Sequence, residues 1–254
     1  MNNMNISRIY LRFRSFLFPT IVLLVLLFSC NQKGETNTES ENETADNVDE
    51  EGLDKHYYKR NLQAEFSIKD SLKQGLGKIY YEDGKLSSEC NYINGLKNGI
   101  EKKYYLDGTL YRTREYSEGK INGLEKRYYR NGKLKTLQTY KQDMPGTGLL
   151  EYHQNGSNVT KFPEFKYEII YDRDYKRQKL LIFYFTGFDK NVRFYEGQLV
   201  EGKFFDAKVS PCGIRDGKGE IGFNDSDFHS AITISAKYVT PNRAPYVLEK
   251  KIIL

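Results

Sequence analysis

The stretch KRYYRNGKL, residues 126–134, decides the fold of this chain because close copies of it recur at a fixed interval. KIYYEDGKL stands at residues 78–86, KKYYLDGTL at residues 102–110, and a degenerate copy, LEYHQNGSN, at residues 150–158. The glycines of the four copies are each 24 residues apart. Self-similarity at such a period indicates a repeat architecture, in which each unit is one small structural element.

Each copy has the pattern of a β-hairpin. A tyrosine-rich run, which favours a strand, precedes a turn pair, and a mixed run with a spaced leucine follows it. The Asp-Gly and Asn-Gly pairs suit a two-residue type I′ turn, in which both central residues need positive φ. The predicted turn residues are Asp83, Gly84, Asp107, Gly108, Asn131, Gly132, Asn155 and Gly156.

A fainter unit lies upstream, where GLDKHYYKRNL from Gly52 matches GLGKIYYEDGK from Gly75, with Asn61 in place of the turn glycine. We therefore predict five hairpins over residues 52–158, with degenerate copies at the ends, where a repeat stack must be capped. One hairpin cannot bury its own apolar face. The hairpins should therefore form one long sheet, in which each tyrosine ring packs on the tyrosine of the next repeat.

The repeated pattern G-x-x-K-x-Y-Y, followed by the turn pair and a leucine, and then E-x-Y-x-x-G-K-x-N-G, resembles the MORN repeat variant of YwqK-family proteins. The resemblance covers residues 52–158 and implies a repeat β-sheet. Because the family is known for antitoxins of toxin–antitoxin systems, the resemblance also implies direct binding to a toxin. The segment after residue 160 carries no copy of the repeat.

The N-terminal segment, residues 1–29, has the order of an export signal, in which arginines precede the apolar run FPTIVLLVLLF. The run is short for a membrane span, although an ordinary membrane helix with an incidental cysteine is the alternative. The end of the run resembles a bacterial lipobox, formed by Leu27, Phe28, Ser29 and Cys30. The resemblance implies cleavage after Ser29 and lipidation of Cys30.

Residues 30–51 are predicted to be a lipidated cysteine followed by a disordered acidic tether, since this segment has almost no apolar residue to bury. The expected location is the cell envelope, as an outer-membrane or cell-surface lipoprotein that contacts the membrane through its lipid. Loss of Arg8, Arg12 and Arg14 lowers the formal net charge from +5 to +2. A nearly neutral chain argues against a nucleic-acid partner.

Residues 160–254 lose the repeat register and have the pattern of longer strands. The predicted strands are residues 166–171, 178–185, 192–209, 219–223, 230–239 and 246–254. Six or seven strands in about 95 residues favour a small β-sandwich, with the immunoglobulin type as one candidate. The predicted fold class is therefore all-β, a sheet of stacked MORN-like hairpin repeats followed by a β-sandwich.

Residues that carry chemistry are few. Cys90 and Cys212 are either two unrelated thiols or a disulfide that joins the repeat sheet to the C-terminal domain. Asp225, Asp227 and His229 form the one cluster worth considering for metal or acid–base chemistry, and a solvated turn explains it better. We predict no catalytic residue, no metal site, no cofactor and no small-molecule substrate.

The tyrosines supply the candidate binding surface. Strand alternation places Tyr80, Tyr104, Tyr128 and Tyr152 on one face and Tyr81, Tyr105 and Tyr129 on the other. One row should be core, and the other, interleaved with Lys102, Lys126 and Arg130, is able to meet a partner or a lipid headgroup; two structural rows are the alternative. The sequence favours a lipid-anchored, non-catalytic protein that binds an unknown protein partner, with an antitoxin or an enzyme around His229 as alternatives.

Overall fold

The computed structural model describes residues 46–48, 52–171, 179–187, 192–206, 208–224 and 230–254. All regular secondary structure in these ranges is β-strand, so the all-β prediction is confirmed. A helix long and apolar enough to cross a membrane is not found among them. Residues 42–254 form one compact unit.

A long antiparallel sheet contains the repeats. Its strands are β1 (Asp46–Val48), β2 (Leu53–Tyr58), β3 (Asn61–Lys69), β4 (Leu72–Tyr80), β5 (Leu86–Ile93), β6 (Leu96–Lys97), β7 (Gly99–Tyr104), β8 (Leu110–Ser117), β9 (Lys120–Tyr128), β10 (Leu134–Lys141), β11 (Met144–Pro145) and β12 (Leu150–Glu151). The main strands follow one another in chain order, while β6 pairs with β5 and β12 pairs with β10. Consecutive pairing is what stacked hairpins produce.

The four predicted turn pairs, which begin at Asp83, Asp107, Asn131 and Asn155, do not form the predicted type I′ turns. At the first of them only Gly84 has positive φ, 82°, and Asp83 does not. The Gly84 N–H donates to the carbonyl of Tyr81 at 2.9 Å, which fits a type I turn followed by a left-handed glycine. Asp83 stands there because its Oδ1 accepts the N–H of Lys85 at 3.1 Å. The other three pairs repeat this geometry.

The type I′ turns lie at the opposite ends of the strands. Asn94 and Gly95 have φ of 50° and 80°, and they join the directly paired residues Ile93 and Leu96. The equivalent pairs at this end are Asp70–Ser71, Glu118–Gly119 and Gln142–Asp143, all with positive φ. Lys59 and Arg60 also have positive φ, but they form a two-residue turn at the other end, where Tyr58 pairs directly with Asn61. Asn61 is therefore not a turn residue, since it begins β3. These turns keep successive hairpins adjacent because their twist matches that of the strands.

The end of the predicted tether belongs to the sheet. Asp46–Val48 forms strand β1 and pairs antiparallel with β2, so that Asp46 lies opposite His56. The prediction of an unstructured segment through residue 51 is therefore wrong for these three residues. Their strand covers the edge of β2, which would otherwise present unpaired backbone groups.

The C-terminal part consists of two four-stranded antiparallel sheets. Its strands are β13 (Phe165–Tyr171), β14 (Lys179–Phe185), β15 (Val192–Glu196), β16 (Ser210–Pro211), β17 (Gly213–Arg215), β18 (Lys218–Phe223), β19 (Ala231–Val239) and β20 (Pro245–Ile253). One sheet has the order β13-β14-β18-β17, and the other has the order β16-β15-β19-β20. If β16 is lettered C′ and the other strands A to G in chain order, the two sheets are ABED and C′CFG. This is the immunoglobulin topology.

The two sheets share one apolar core. Leu181, Phe183 and Phe185 of β14 alternate with half-buried residues and are at most 2% exposed. Phe183 meets Phe194 of the other sheet edge-on, with ring centroids 5.0 Å apart. Buried side chains of β15, β18, β19 and β20 complete the same cluster. Face-to-face packing of this kind defines a sandwich.

The predicted strand over residues 192–209 is wrong beyond Glu196. Gly197 has φ of 135°, and Glu201 and Gly202 also have positive φ, so the chain leaves the sheet and turns back. Leu199 and Phe205 pack on Val247 as a second, small apolar cluster. The turn residues bring the segment 199–205 to the last repeat, where an isolated bridge pairs Gly146 with Phe204.

Three further hydrogen bonds join the last repeat to the sandwich. They are Thr147 N–H to the Lys203 carbonyl at 2.9 Å, Phe205 N–H to the Pro145 carbonyl at 2.9 Å, and Thr240 Oγ1 to Glu151 Oε1 at 2.6 Å. Glu151 and Thr240 are buried. The sandwich therefore covers the C-terminal end of the repeat sheet, as capping of a repeat stack requires.

Candidate protein-binding surface

A row of side chains crosses one face of the repeat sheet from strand to strand. Its members are direct cross-strand neighbours, in the order Lys55, Glu65, Lys78, Glu89, Lys102, Thr113, Lys126, Leu137 and Leu150. Directly opposite residues point to the same side of a sheet. We call this side the outer face. The row starts with alternating charges and ends with two leucines.

The predicted tyrosine row lies on the same face, two residues beyond the lysines along each strand. The Tyr80 hydroxyl donates to Glu65 Oε1 at 2.6 Å, and the Lys78 ammonium lies 3.2 Å from the same oxygen. Burial and this hydrogen bond raise the pKa of Tyr80 to about 12. In return, the hydroxyl of Tyr80 and the charge of Lys78 lower the pKa of Glu65, against its burial. Glu65, Lys78 and Tyr80 thus form a closed triad.

The next repeat contains the same triad. Tyr104 donates to Glu89 Oε1 at 2.9 Å, and Lys102 lies 3.1 Å from that oxygen. Burial, and then the hydrogen bond to Glu89, raise the pKa of Tyr104 to about 12. Burial alone would raise the pKa of Glu89, but Tyr104 and Lys102 bring it below its ordinary value. The outer face is therefore a set of equivalent sites at the repeat period.

The second tyrosine of each pair has a structural role. The Tyr81 hydroxyl donates to the backbone carbonyl of Tyr104 at 2.6 Å, Tyr105 to that of Tyr128 at 2.9 Å, and Tyr129 to that of Tyr152 at 2.7 Å. Each bond joins one repeat to the next. The sequence predicted ring-on-ring packing between equivalent tyrosines, and the described residues contain no such ring contact. Equivalent residues are two strands, roughly 10 Å, apart, which is too far for rings to stack.

All four tyrosines of the predicted binding row, Tyr80, Tyr104, Tyr128 and Tyr152, are half-buried. Neither tyrosine row is therefore core, and the buried residues lie elsewhere. Leucine and isoleucine precede the lysines by two positions on the outer face, and two of them, Leu76 and Ile100, are 42% and 53% exposed. Each repeat thus offers an apolar, a cationic and a hydroxyl group in line along one strand.

The opposite face is closed by buried ion pairs. Glu101 is 3% exposed and accepts from Arg112 at 2.9 Å and from Lys97. Burial opposes its charge, but Lys97 and Arg112 hold the pKa of Glu101 below its ordinary value. Glu125, 1% exposed, pairs with two arginines, Arg114 and Arg127. The charges of these carboxylates are therefore neutralised within the sheet.

The described residues contain no group of three or more His, Cys, Asp or Glu side chains arranged to hold a metal ion. Cys90 and Cys212 are both free thiols, so the alternative of a disulfide between them is wrong. The lipobox Leu27–Cys30 and the cluster of Asp225, Asp227 and His229 lie outside the described residues. The predictions made for those residues remain predictions.

Sequence reasoning found the tyrosines and overlooked the carboxylates that hold them. The signal was present, because Glu65 and Glu89 are 24 residues apart, as are Lys78, Lys102 and Lys126. Glu65 and Tyr80 are separated by 15 residues and belong to different predicted hairpins. Only the strand register shows that they meet.

Comparison with known families finds matches to one repeat model within this sheet. Three consecutive segments, residues 73–94, 97–118 and 121–142, match the MORN repeat variant. These matches span β4 to β10 and include both closed triads except Glu65. No curated protein matches the chain significantly.

Proposed function

We propose that this protein is a lipid-anchored, non-catalytic protein of the cell envelope, and that the outer face of its repeat sheet binds a protein partner. The observation that carries the proposal is the outer face itself. It repeats apolar, cationic and hydroxyl groups at 24-residue spacing on one face of the sheet. Such regular arrays create the extended binding surfaces that repeat proteins use.

The anchor is the lipidated Cys30. The lipobox Leu27, Phe28, Ser29 and Cys30 supports cleavage after Ser29, and the polar segment that follows supports a tether of roughly 15 residues before β1. More than one acyl chain gives stable attachment, because each buried CH₂ contributes about 0.8 kcal/mol. We place the protein at the outer membrane or the cell surface.

Fractionation and intact mass of the native protein and a Cys30→Ala variant test the anchor. The native protein should sediment with membranes and carry acyl mass on Cys30, whereas the variant should be neither cleaved after Ser29 nor acylated. Cys212→Ala is the matched control and should behave like the native protein. Unmodified native protein in the cytosol would reject the anchor and leave the binding surface to be tested separately.

An antitoxin or immunity function is the second candidate, favoured by the resemblance of the repeats to YwqK-family proteins. In this role the same outer face would cover the active site of a toxin. Expression of a toxin-like product from a neighbouring gene, with and without this protein, tests the idea. Restored growth supports it, and unchanged killing in the presence of the folded protein rejects it.

The absence of catalysis is part of the proposal. It is supported by the pairing of the buried carboxylates Glu101 and Glu125 with basic side chains, which leaves neither of them free for proton transfer. A His229→Ala variant tests the remaining enzymatic alternative. Any hydrolytic or metal-dependent activity of the native protein that this variant loses would overturn the proposal.

A further inference from the structure

The third repeat of the outer face lacks the carboxylate that the first two contain. Glu65 and Glu89 are followed at the repeat period by Thr113, while Lys126 and Tyr128 keep the lysine and the tyrosine of the triad. Thr113 lies directly opposite Lys102 and Lys126, which is the place Glu89 takes between Lys78 and Lys102. The backbone therefore holds the site in the same register.

The consequence is a pair of polar groups that lack the carboxylate partner of the closed triads. Within the described residues, the Lys126 ammonium has no ion pair, and the Tyr128 hydroxyl has no hydrogen-bond partner. Both side chains are half-buried, as are Lys78 and Tyr80 in the first closed triad. A lysine and a tyrosine hydroxyl two residues apart on the same face of a strand attract a carboxylate, since charge-assisted hydrogen bonds are the stronger kind.

We propose that a carboxylate of the protein partner binds between Lys126 and Tyr128, in the position that Glu65 and Glu89 hold in the closed triads. This assignment rests on the proposed function and specifies the chemistry of the partner. Thr113, Lys126 and Tyr128 form what we call the open triad. The internal copies give the expected contacts, about 2.6–2.9 Å from the hydroxyl and 3.1–3.2 Å from the ammonium.

The residues beside the open triad specify the rest of the partner. Beyond Lys126 the row continues with Leu137 and then Leu150, which is 46% exposed. Neighbouring strands are about 4.8 Å apart, so the two leucines lie roughly 5 and 10 Å from Lys126. An extended segment that crosses the strands places its residue i+2 about 7 Å from residue i. The partner segment should therefore carry Asp or Glu and, two residues before or after it, a large apolar side chain.

Closing the triad from within is the sharpest test. Thr113→Glu supplies the missing carboxylate in cis, and Thr113→Val removes only the hydroxyl. Lys126→Met removes the cation of the open triad, and Lys78→Met removes its counterpart in the closed triad of Glu65 and Tyr80. Each variant is made in the full-length protein, purified in detergent, and its thermal unfolding is compared with that of the native protein. Thr113→Glu should unfold at or above the native temperature.

The probe is a random library of 12-residue peptides selected on the native protein, with fluorescence anisotropy of the best peptides. We expect the enriched peptides to carry an acidic residue and a large apolar residue separated by two positions in the sequence. Their affinity should fall about tenfold or more with Thr113→Glu and with Lys126→Met. It should stay within about twofold of native with Thr113→Val and Lys78→Met.

The contrary outcomes are distinct. Peptides without acidic residues, or acidic peptides that bind Thr113→Glu as tightly as native, would overturn the open triad while a protein-binding sheet still stands. No selected peptide at all would contradict both the open triad and the proposed function. Binding of the Cys30→Ala protein to phosphatidylglycerol vesicles, if it is lost when Lys126→Met is added, would assign the site to a lipid headgroup. That result would also overturn the proposal.

Discussion

The two halves of this protein reach stability in different ways. Among the described residues, the buried apolar side chains are concentrated in the sandwich, where Phe183, Phe194 and Ile234 are at most 1% exposed. The repeat sheet has few of them, and its most buried side chains include Glu101 and Glu125. The sandwich is held by a shared apolar core. The sheet is held by local polar contacts that recur from one repeat to the next.

This difference explains why we expect the sandwich to stabilise the fold and the repeat sheet to bind the partner. A sheet without a thick apolar layer on its outer side leaves that side open, with half-buried polar groups already held in register. The sandwich closes the last repeat through Glu151 and Thr240 and contributes the stability that a single-layer sheet lacks. Changes in the sandwich should therefore affect folding alone, while changes on the outer face should affect binding.

The largest effect is expected in the sandwich core. Phe183→Ala removes a fully buried ring that packs on Phe194 and should lower the free energy of unfolding by roughly 3–5 kcal/mol. Urea unfolding followed by circular dichroism measures it. Ile253→Ala, 72% exposed, is the control and should change little. Equal losses in the two variants would contradict an apolar core centred on Phe183.

A slightly smaller effect is expected in the repeat sheet. Glu125→Ala leaves Arg114 and Arg127 without their buried partner and should lower the free energy of unfolding by about 3 kcal/mol. Glu164→Ala removes an exposed partner of Lys166 and should cost at most about 0.5 kcal/mol. If the two variants unfold at the same urea concentration, the inner ion pairs do not stabilise the sheet.

Acid should destabilise the protein through the repeat sheet. Because the pKa of Glu101 is lower in the folded protein than its ordinary value, its ion pairs contribute fully above that ordinary value. Their contribution is lost as the pH falls through the lowered pKa of the folded state. The urea midpoint should therefore fall with pH in this window, and less steeply in Glu101→Gln. Parallel pH profiles of the two proteins would refute the assignment.

The smallest effect concerns the links between repeats. Tyr129→Phe deletes the hydroxyl that donates to the carbonyl of Tyr152 at 2.7 Å and should cost about 1 kcal/mol. Hydrogen–deuterium exchange should speed up in β12 more than in β5. Tyr58→Phe, at an exposed position, is the control. Unchanged exchange in β12 would show that the link does not hold the last repeat.

The sequence predicted the repeat period, the strands and the location of the turns, because each depends on residues close together in the chain. It misassigned the turn types for a physical reason. Asp-Gly and Asn-Gly suit a type I′ turn, but an Asp or Asn side chain that accepts the N–H two residues later also suits a type I turn with a following glycine. The structure separates the two, because the Tyr81 N–H donates to the Lys85 carbonyl at 2.8 Å across a three-residue loop and Asp83 does not have positive φ.

Contacts between distant residues were beyond sequence reasoning. The strand that was expected to run to residue 209 leaves the sheet at Gly197, and its turn residues pack on the last repeat. No residue near Phe204 in the sequence predicts its contact with Gly146. The same is true of Glu65 and Tyr80, whose contact follows from the register of β3 and β4.

Site-specific photo-crosslinking in living cells tests most directly whether the outer face is the partner surface. A photo-reactive amino acid is placed at Ile100, 53% exposed on the outer face, or at Ile253, 72% exposed on the sandwich. We predict a discrete protein adduct from position 100, lost with Thr113→Glu, and none from position 253. An adduct from position 253 alone, or adducts from both positions that persist with Thr113→Glu, would contradict it.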